Sequence, residues 1–203
     1  MKPIGILFFI GFILQFSVLK AQYPEFIIKT THPKLEWVSE KEMGSQAGYS
    51  LKQKGYKGKG FDPHFTSVTL WIQPIQKYPW SEKAHDKFLA ELNSDTLTPF
   101  VRKFAMDTRQ KQRQGLDPKN YQQVELGMPE VIEIMGKKGL MFSYKFTRLD
   151  NQLLNSVNKN RYTARRVLLF LDAYIAEIRW EYVPDENNWN TVVLEQLDMI
   201  EIK

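Results

Sequence analysis

The stretch GKKGLMFSYKFT, residues 136 to 147, decides the fold class. From Leu140 onward its side chains alternate, with Leu140, Phe142, Tyr144 and Phe146 on one face and Met141, Ser143, Lys145 and Thr147 on the other. A period of two with one apolar face is the mark of a half-buried β-strand. The segment Gly136-Lys137-Lys138-Gly139 reads as the turn that opens it, and Glu130 to Met135 as the strand on the other side of that turn.

The same alternation recurs on both sides. In TSVTLWIQ, residues 66 to 73, Val68, Leu70 and Ile72 share a face, and Trp71 points the opposite way, where a covering helix is expected to bury it, an exposed groove being the second reading. In YIAEIRWEYV, residues 174 to 183, Tyr174, Ala176, Ile178, Trp180 and Tyr182 alternate with Ile175, Glu177, Arg179, Glu181 and Val183. Arg165 to Leu171 reads as a strand that reaches this one through a tight connection at Asp172-Ala173, giving two successive antiparallel hairpins. Asp172 and Glu177 interrupt the apolar run from Val167 to Ile178, which excludes a membrane span there. Asn151 to Tyr162, rich in Asn, reads as a loop.

Helices are expected between and after the strands. Ser81 is a suitable N-cap for Glu82 to Asn93, and Thr98 followed by Pro99 opens a second helix in which Phe100, Val101 and Phe104 recur at helical spacing until Gly115 and Pro118 close it. From Asp185, the residues Trp189, Val192, Val193, Gln196, Leu197 and Ile200 line one side of an amphipathic terminal helix that finishes in extended form. The expectation is an α+β domain, an antiparallel sheet of about six strands flanked by helices.

The residues Gly48-Tyr49-Ser50, Val68-Thr69-Leu70-Trp71-Ile72, Gly139 leading into Phe142-Ser143-Tyr144, Arg166-Val167-Leu168 before Tyr174, and Trp189 near the start of the last helix stand in a telling order. This order resembles the PsbP-like family, named from an extrinsic subunit of photosynthetic oxygen evolution, over roughly Tyr49 to Ile202. The resemblance implies an antiparallel sheet sandwiched by helices, and a non-enzymatic accessory or binding role. This chain departs from the family in a long basic loop where the family turns sharply at a Pro and a Trp, and in its ending, Ile200-Glu201-Ile202-Lys203. Neither departure favours photosynthesis, and a fold does not establish a function.

At the other end of the chain, Lys2 precedes an apolar run from Ile4 to Leu19, and Ala21 is a small residue suited to cleavage. This is the pattern of a signal peptide over residues 1 to 21, with the mature chain starting at Gln22. The run of 16 residues is short of the roughly 20 that span a bilayer core, so a retained anchor is the second reading. We therefore expect a periplasmic or secreted protein with an N-terminal extension over 22–46 and a single domain over 47–203, a size suited to one core.

The absence of cysteine among 203 residues excludes a lipoprotein anchor, disulfides, thiol catalysis and cysteine metal sites. Without Lys2 and Lys20 the chain carries 26 basic and 23 acidic residues, too small a surplus to single out nucleic acid. His32, His64 and His85 have no metal-ligand spacing, and Asp62-Pro63-His64 reads as a loop entering a strand. Glu125, Glu130 and Glu133 cluster only in sequence, and Glu177 and Glu181 share a wet strand face with Arg179. No nucleophile elbow, phosphate loop or dinucleotide fingerprint is present, so neither catalytic residues, a metal nor a cofactor is expected.

The most distinctive surface stretch is KQKGYKGKGF, residues 52 to 61. Lys52, Lys54, Lys57 and Lys59 alternate there with glycines and with Tyr56 and Phe61, a pattern that supplies charge, converging amides and stacking surface to an anion. The bland reading is a solvated loop that keeps the protein soluble. A second basic cluster, Arg102, Lys103, Arg109, Lys111 and Arg113, is explained in part by the dipole of the second helix. The functional expectation is an exported non-enzymatic binding or accessory protein of the bacterial cell envelope, with an envelope protein as partner. One alternative is a binder of anionic lipid or glycan through the lysine-rich loop, and a further one is a hydrolase with its site in a groove over the sheet.

Overall fold

The structure, a computed structural model, describes residues 24–39, 47–54, 65–75, 82–92, 97–119, 121–150, 158–185 and 187–203. The expected signal peptide, the proposed N-cap Ser81 and most of the lysine-rich loop lie outside these residues. The strands are β1 (Phe26–Ile28), β2 (Leu35–Ser39), β3 (Ala47–Gln53), β4 (Phe65–Pro74), β5 (Gln122–Leu126), β6 (Glu130–Ile134), β7 (Lys137–Asp150), β8 (Asn158–Phe170), β9 (Tyr174–Tyr182) and β10 (Ile200–Ile202). The helices are α1 (Glu82–Leu92), α2 (Pro99–Gln114) and α3 (Trp189–Asp198).

One antiparallel sheet runs in the order β2-β3-β4-β9-β8-β7-β5. β6 shares the outer edge of β7 with β5, since Glu130 to Ile134 pair with Met141 to Lys137 while Leu126 and Glu125 pair with Tyr144 and Lys145. β1 and β10 form a separate antiparallel pair in which Phe26 meets Ile202. The fold is thus α+β as expected, but its main sheet has eight strands among the described residues, not about six. The strands not expected from sequence are short ones, β2 and β5 in the main sheet and β1 in the separate pair, of three to five residues each. Alternation over so few positions does not stand out from loop sequence, and long-range pairing makes them strands. Two of them come from the stretch set apart as an N-terminal extension, which the structure joins to the sheet and to the C-terminus.

The faces of the sheet are covered differently. α3 and the β1–β10 pair lie over Leu51, Val68, Leu70, Ile72, Val167, Leu169, Ala176, Ile178 and Trp180, all buried. Trp189 stacks on Phe65 at 4.5 Å, and Gln196, fully buried, fastens the chain after β1 by accepting from His32 N at 2.6 Å and donating to Thr30 O at 3.0 Å. On the opposite face α1 and α2 press Phe88, Leu92, Val101 and Ala105 onto Leu140, Phe142, Leu168, Phe170 and Ile175. Each of the large side chains so buried contributes about 1.5–3 kcal/mol. Beyond the helices on that same face, Phe146, Tyr162 and Ala164 form a smaller aromatic cluster with Tyr121 and Tyr144.

Local chemistry sets the element ends. Thr98 caps α2 by accepting from Val101 N at 3.3 Å, with Pro99 in the first turn, and its hydroxyl also donates to Glu91 of α1. The turn between β6 and β7 is Met135-Gly136, with φ of 56° and 65°, so Lys137, Lys138 and Gly139 belong to β7 and not to the turn assigned them from sequence. Gly139 is needed for a different reason: a Cβ there would stand 2.4 Å from the Leu168 carbonyl oxygen. The stretch read as a loop ends earlier than expected, because Asn158 to Tyr162 pair residue by residue with Asp150 to Phe146. Ladder partners outweigh the weak strand preference of Asn.

Candidate functional site

Residues 175, 177, 179 and 181 of β9 point to the α1 and α2 side of the sheet, and only Ile175 of the four is apolar. Strand register places Glu177 between Leu168 of β8 and Trp71 of β4. The next row brings Arg166 directly opposite Arg179, a like-charge pair that would destabilise the sheet by itself. Glu177 resolves the conflict. Arg166 donates from Nε to Oε1 at 2.8 Å and from Nη2 to Oε2 at 3.1 Å, Arg179 donates from Nε to Oε1, and Gln73 Nε2 donates to Oε2 at 3.4 Å.

The three charged groups differ in access. The Glu177 side chain is 4% exposed, that of Arg166 18% and that of Arg179 51%. A buried carboxylate therefore fixes a guanidinium that remains half in water. The Arg179 guanidinium lies 5.3 Å from the centre of the Trp71 ring, within cation–π range. Trp71 is half-buried, and its pyrrole edge rests against Gly48, where a Cβ would approach Cδ1 to 3.3 Å. A bare backbone at 48 is what lets the indole lie along the sheet. Trp71 is therefore half-buried with Arg179 over its ring, short of the full burial expected for it.

One row further on, Arg148 Nη2 donates to Glu181 Oε2 at 2.5 Å, and its guanidinium sits 5.8, 5.2 and 5.0 Å from the rings of Tyr121, Phe146 and Tyr162. Burial works to lower the Arg148 pKa, but the adjoining Glu181 carboxylate, joined by Tyr121 and Tyr162, outweighs it and the net shift is upward. Burial, and after it the Glu181 charge, pushes the Tyr144 hydroxyl above the usual phenol range.

Of the residues singled out in the lysine-rich loop, the structure describes Lys52 and Lys54. Lys52 pairs with Glu36 and Ser67, and it shares a face with Ser50 and Gly48, hence with Trp71. Lys54 is exposed and donates its backbone N to Lys34 O at 2.8 Å. Tyr56, Lys57, Lys59 and Phe61 lie outside the described residues. In the second basic cluster, Arg109 donates to the carbonyls of Gly127 and Leu126, both at 2.9 Å, and so pins the link between β5 and β6 to α2. The histidines are held structurally: His85 is 1% exposed with Nε2 2.7 Å from the Leu171 carbonyl, and His32 Nδ1 accepts from Lys34 N at 3.1 Å. His64 is outside the described residues.

Sequence reading placed Glu177 and Arg179 together but took their face as wet, and it gave Arg166, Gln73 and Gly48 no part in a site. A signal was present: Arg165-Arg166 leads directly into the apolar run Val167 to Phe170, and a cation there calls for an acid on a neighbouring strand.

No family model and no curated protein matches the chain. Similar solved structures include LpqN, involved in cell envelope biogenesis of Mycobacterium tuberculosis, with 11% identity over 89% of this chain and 84% of that one and a TM-score of 0.46. A putative regulator of unknown function from Pseudomonas aeruginosa has 11% identity over 79% of this chain and 94% of its own, with a TM-score of 0.39. A PsbP from the cyanobacterium Synechocystis has 10% identity over 92% of this chain and 96% of its own, also with a TM-score of 0.39. The PsbP likeness read from the sequence thus recurs among solved structures, as a distant resemblance.

Proposed function

We propose that this chain is an exported, non-enzymatic binding or accessory module of the bacterial cell envelope. Export rests on Lys2, the apolar run from Ile4 to Leu19, and Ala21. Among the described residues no helix is long and apolar enough to cross a membrane. The binding role rests on one observation: Arg179, half-exposed beside Trp71, is held in place by a buried carboxylate. A preorganised guanidinium on an aromatic edge loses little entropy on contact, which is what a recognition surface requires. Both oxygens of Glu177 are taken by arginines, and Glu181 is taken by Arg148, an arrangement that favours recognition over the hydrolase alternative.

Lys52 favours the anionic-ligand version of this reading, since it brings the start of the lysine-rich loop onto the face of Trp71. Expression in an envelope-bearing host with a native leader tests the proposal. The mature protein is expected to begin at Gln22, and to be retained by the envelope fraction less well after Trp71→Ala or Arg179→Gln. Recovery from the cytoplasm of a chain that begins at Met1 overturns it.

A further inference from the structure

β4 presents Thr69, Trp71 and Gln73 at alternate positions on one face, a hydrogen-bonding group on each side of an indole. At about 3.4 Å per residue the strip is roughly 13 Å long. Thr69 Oγ1 reaches the Arg179 carbonyl at 3.4 Å, and Gln73 leans on Glu177, so both ends are tied to β9. The Arg179 guanidinium stands beside the middle of the strip. Its Nε is taken by Glu177, which leaves Nη1 and Nη2 as the end-on fork that matches a carboxylate in its own plane. Arg166, Arg179 and Glu177 together carry one net positive charge.

We propose that Thr69, Trp71, Gln73 and Arg179 form a subsite for a carboxylated pyranose of an acidic glycan. The sugar carboxylate pairs with the Arg179 fork, the ring packs against the Trp71 indole, and hydroxyls meet Thr69 and Gln73. A sheet face on which Thr69, Trp71 and Gln73 are partly exposed and Arg179 is half-exposed suits a chain of sugars better than a small free ligand, which is usually held in a concavity. Lys52 lies on the same face four residues along β3 from Gly48, about 13 Å away and opposite Glu36 of β2, so the charge of the subsite is that of Arg179. This inference rests on the binding-module reading and names its ligand.

The test is a titration of isotope-labelled protein with tetragalacturonate, followed at the Trp71 indole N–H signal, which is assigned by its loss in Trp71→Phe. The methyl ester of the same sugar keeps the ring and hydroxyls and removes the charge. The indole signal is expected to move with the acid and to need about ten times more of the ester, the size of one charge-assisted contact. Arg179→Gln is expected to remove that preference, Arg179→Lys to retain part of it, and Lys103→Ala on α2 to leave it unchanged. Should Arg179→Gln fail to fold, Arg179→Lys and the ester carry the test. No shift with the acid, an equal shift with acid and ester, or movement only with phosphatidylglycerol vesicles overturns the proposal. If Trp71→Ala also loses retention by the envelope while the native protein ignores the sugar, the binding module stands and the glycan falls.

Discussion

Arg166 grips Glu177 through both carboxylate oxygens, at 2.8 Å and 3.1 Å, and thereby neutralises a pair of arginines that strand register has set face to face. The bond is a consequence of antiparallel pairing between β8 and β9, and it turns a like-charge clash into a fixed triad.

Glu177→Gln keeps the shape and removes the charge. Two guanidiniums then share a row without a counter-ion, and a loss of about 3 kcal/mol is expected in urea unfolding. Arg166→Met combined with Glu177→Leu should cost less than Glu177→Gln, because no charge is then left without its partner. An unchanged unfolding midpoint for Glu177→Gln refutes the structural role given to the triad.

Gly139→Ala places a Cβ 2.4 Å from the Leu168 carbonyl oxygen, at the first pair of the β7–β8 ladder. The strands must part, and destabilisation by about 2 kcal/mol is expected. Gly115→Ala, whose Cβ would meet its nearest atom at 3.6 Å, serves as the tolerant comparison. Thermal unfolding of the two variants side by side decides the matter.

Thr98→Ala removes the cap of α2 and its bond to Glu91 of α1. A loss of about 1 kcal/mol is expected, together with faster amide exchange in the first turn of α2. Thr98→Ser should restore most of both.

The Tyr144 hydroxyl has a raised pKa in the folded protein, first through burial and then through Glu181. Its neutral form is therefore favoured by folding. The associated stability is complete below the ordinary phenol value of about 10 and is lost as pH rises towards the folded value. Unfolding measured from pH 9 to 11.5 should steepen with pH in the native protein and less so in Tyr144→Phe. Equal pH dependence in the two would contradict it.

Much of this fold is legible along the chain. Alternation in residues 66 to 73, 140 to 147 and 174 to 183 yields β4, β7 and β9, and Thr98-Pro99 marks the start of α2. These signals are local, because strand period and capping act over a few residues. The candidate site was half legible. Lys52 and the Trp71 edge stood out as residue types, yet nothing nearby in sequence indicates that they share a face.

The sequence by itself determined the leading apolar segment, the α+β class, the hairpins and the side of each strand on which residues fall. Only the tertiary structure decided that Glu177 is a buried hub and not a wet strand residue. Its partners are Arg166, 11 residues away, and Gln73, 104 residues away. Alternation fixes the face of a side chain, but register across three strands fixes its neighbours, and neighbours decide whether a carboxylate stays in water or is held by guanidiniums.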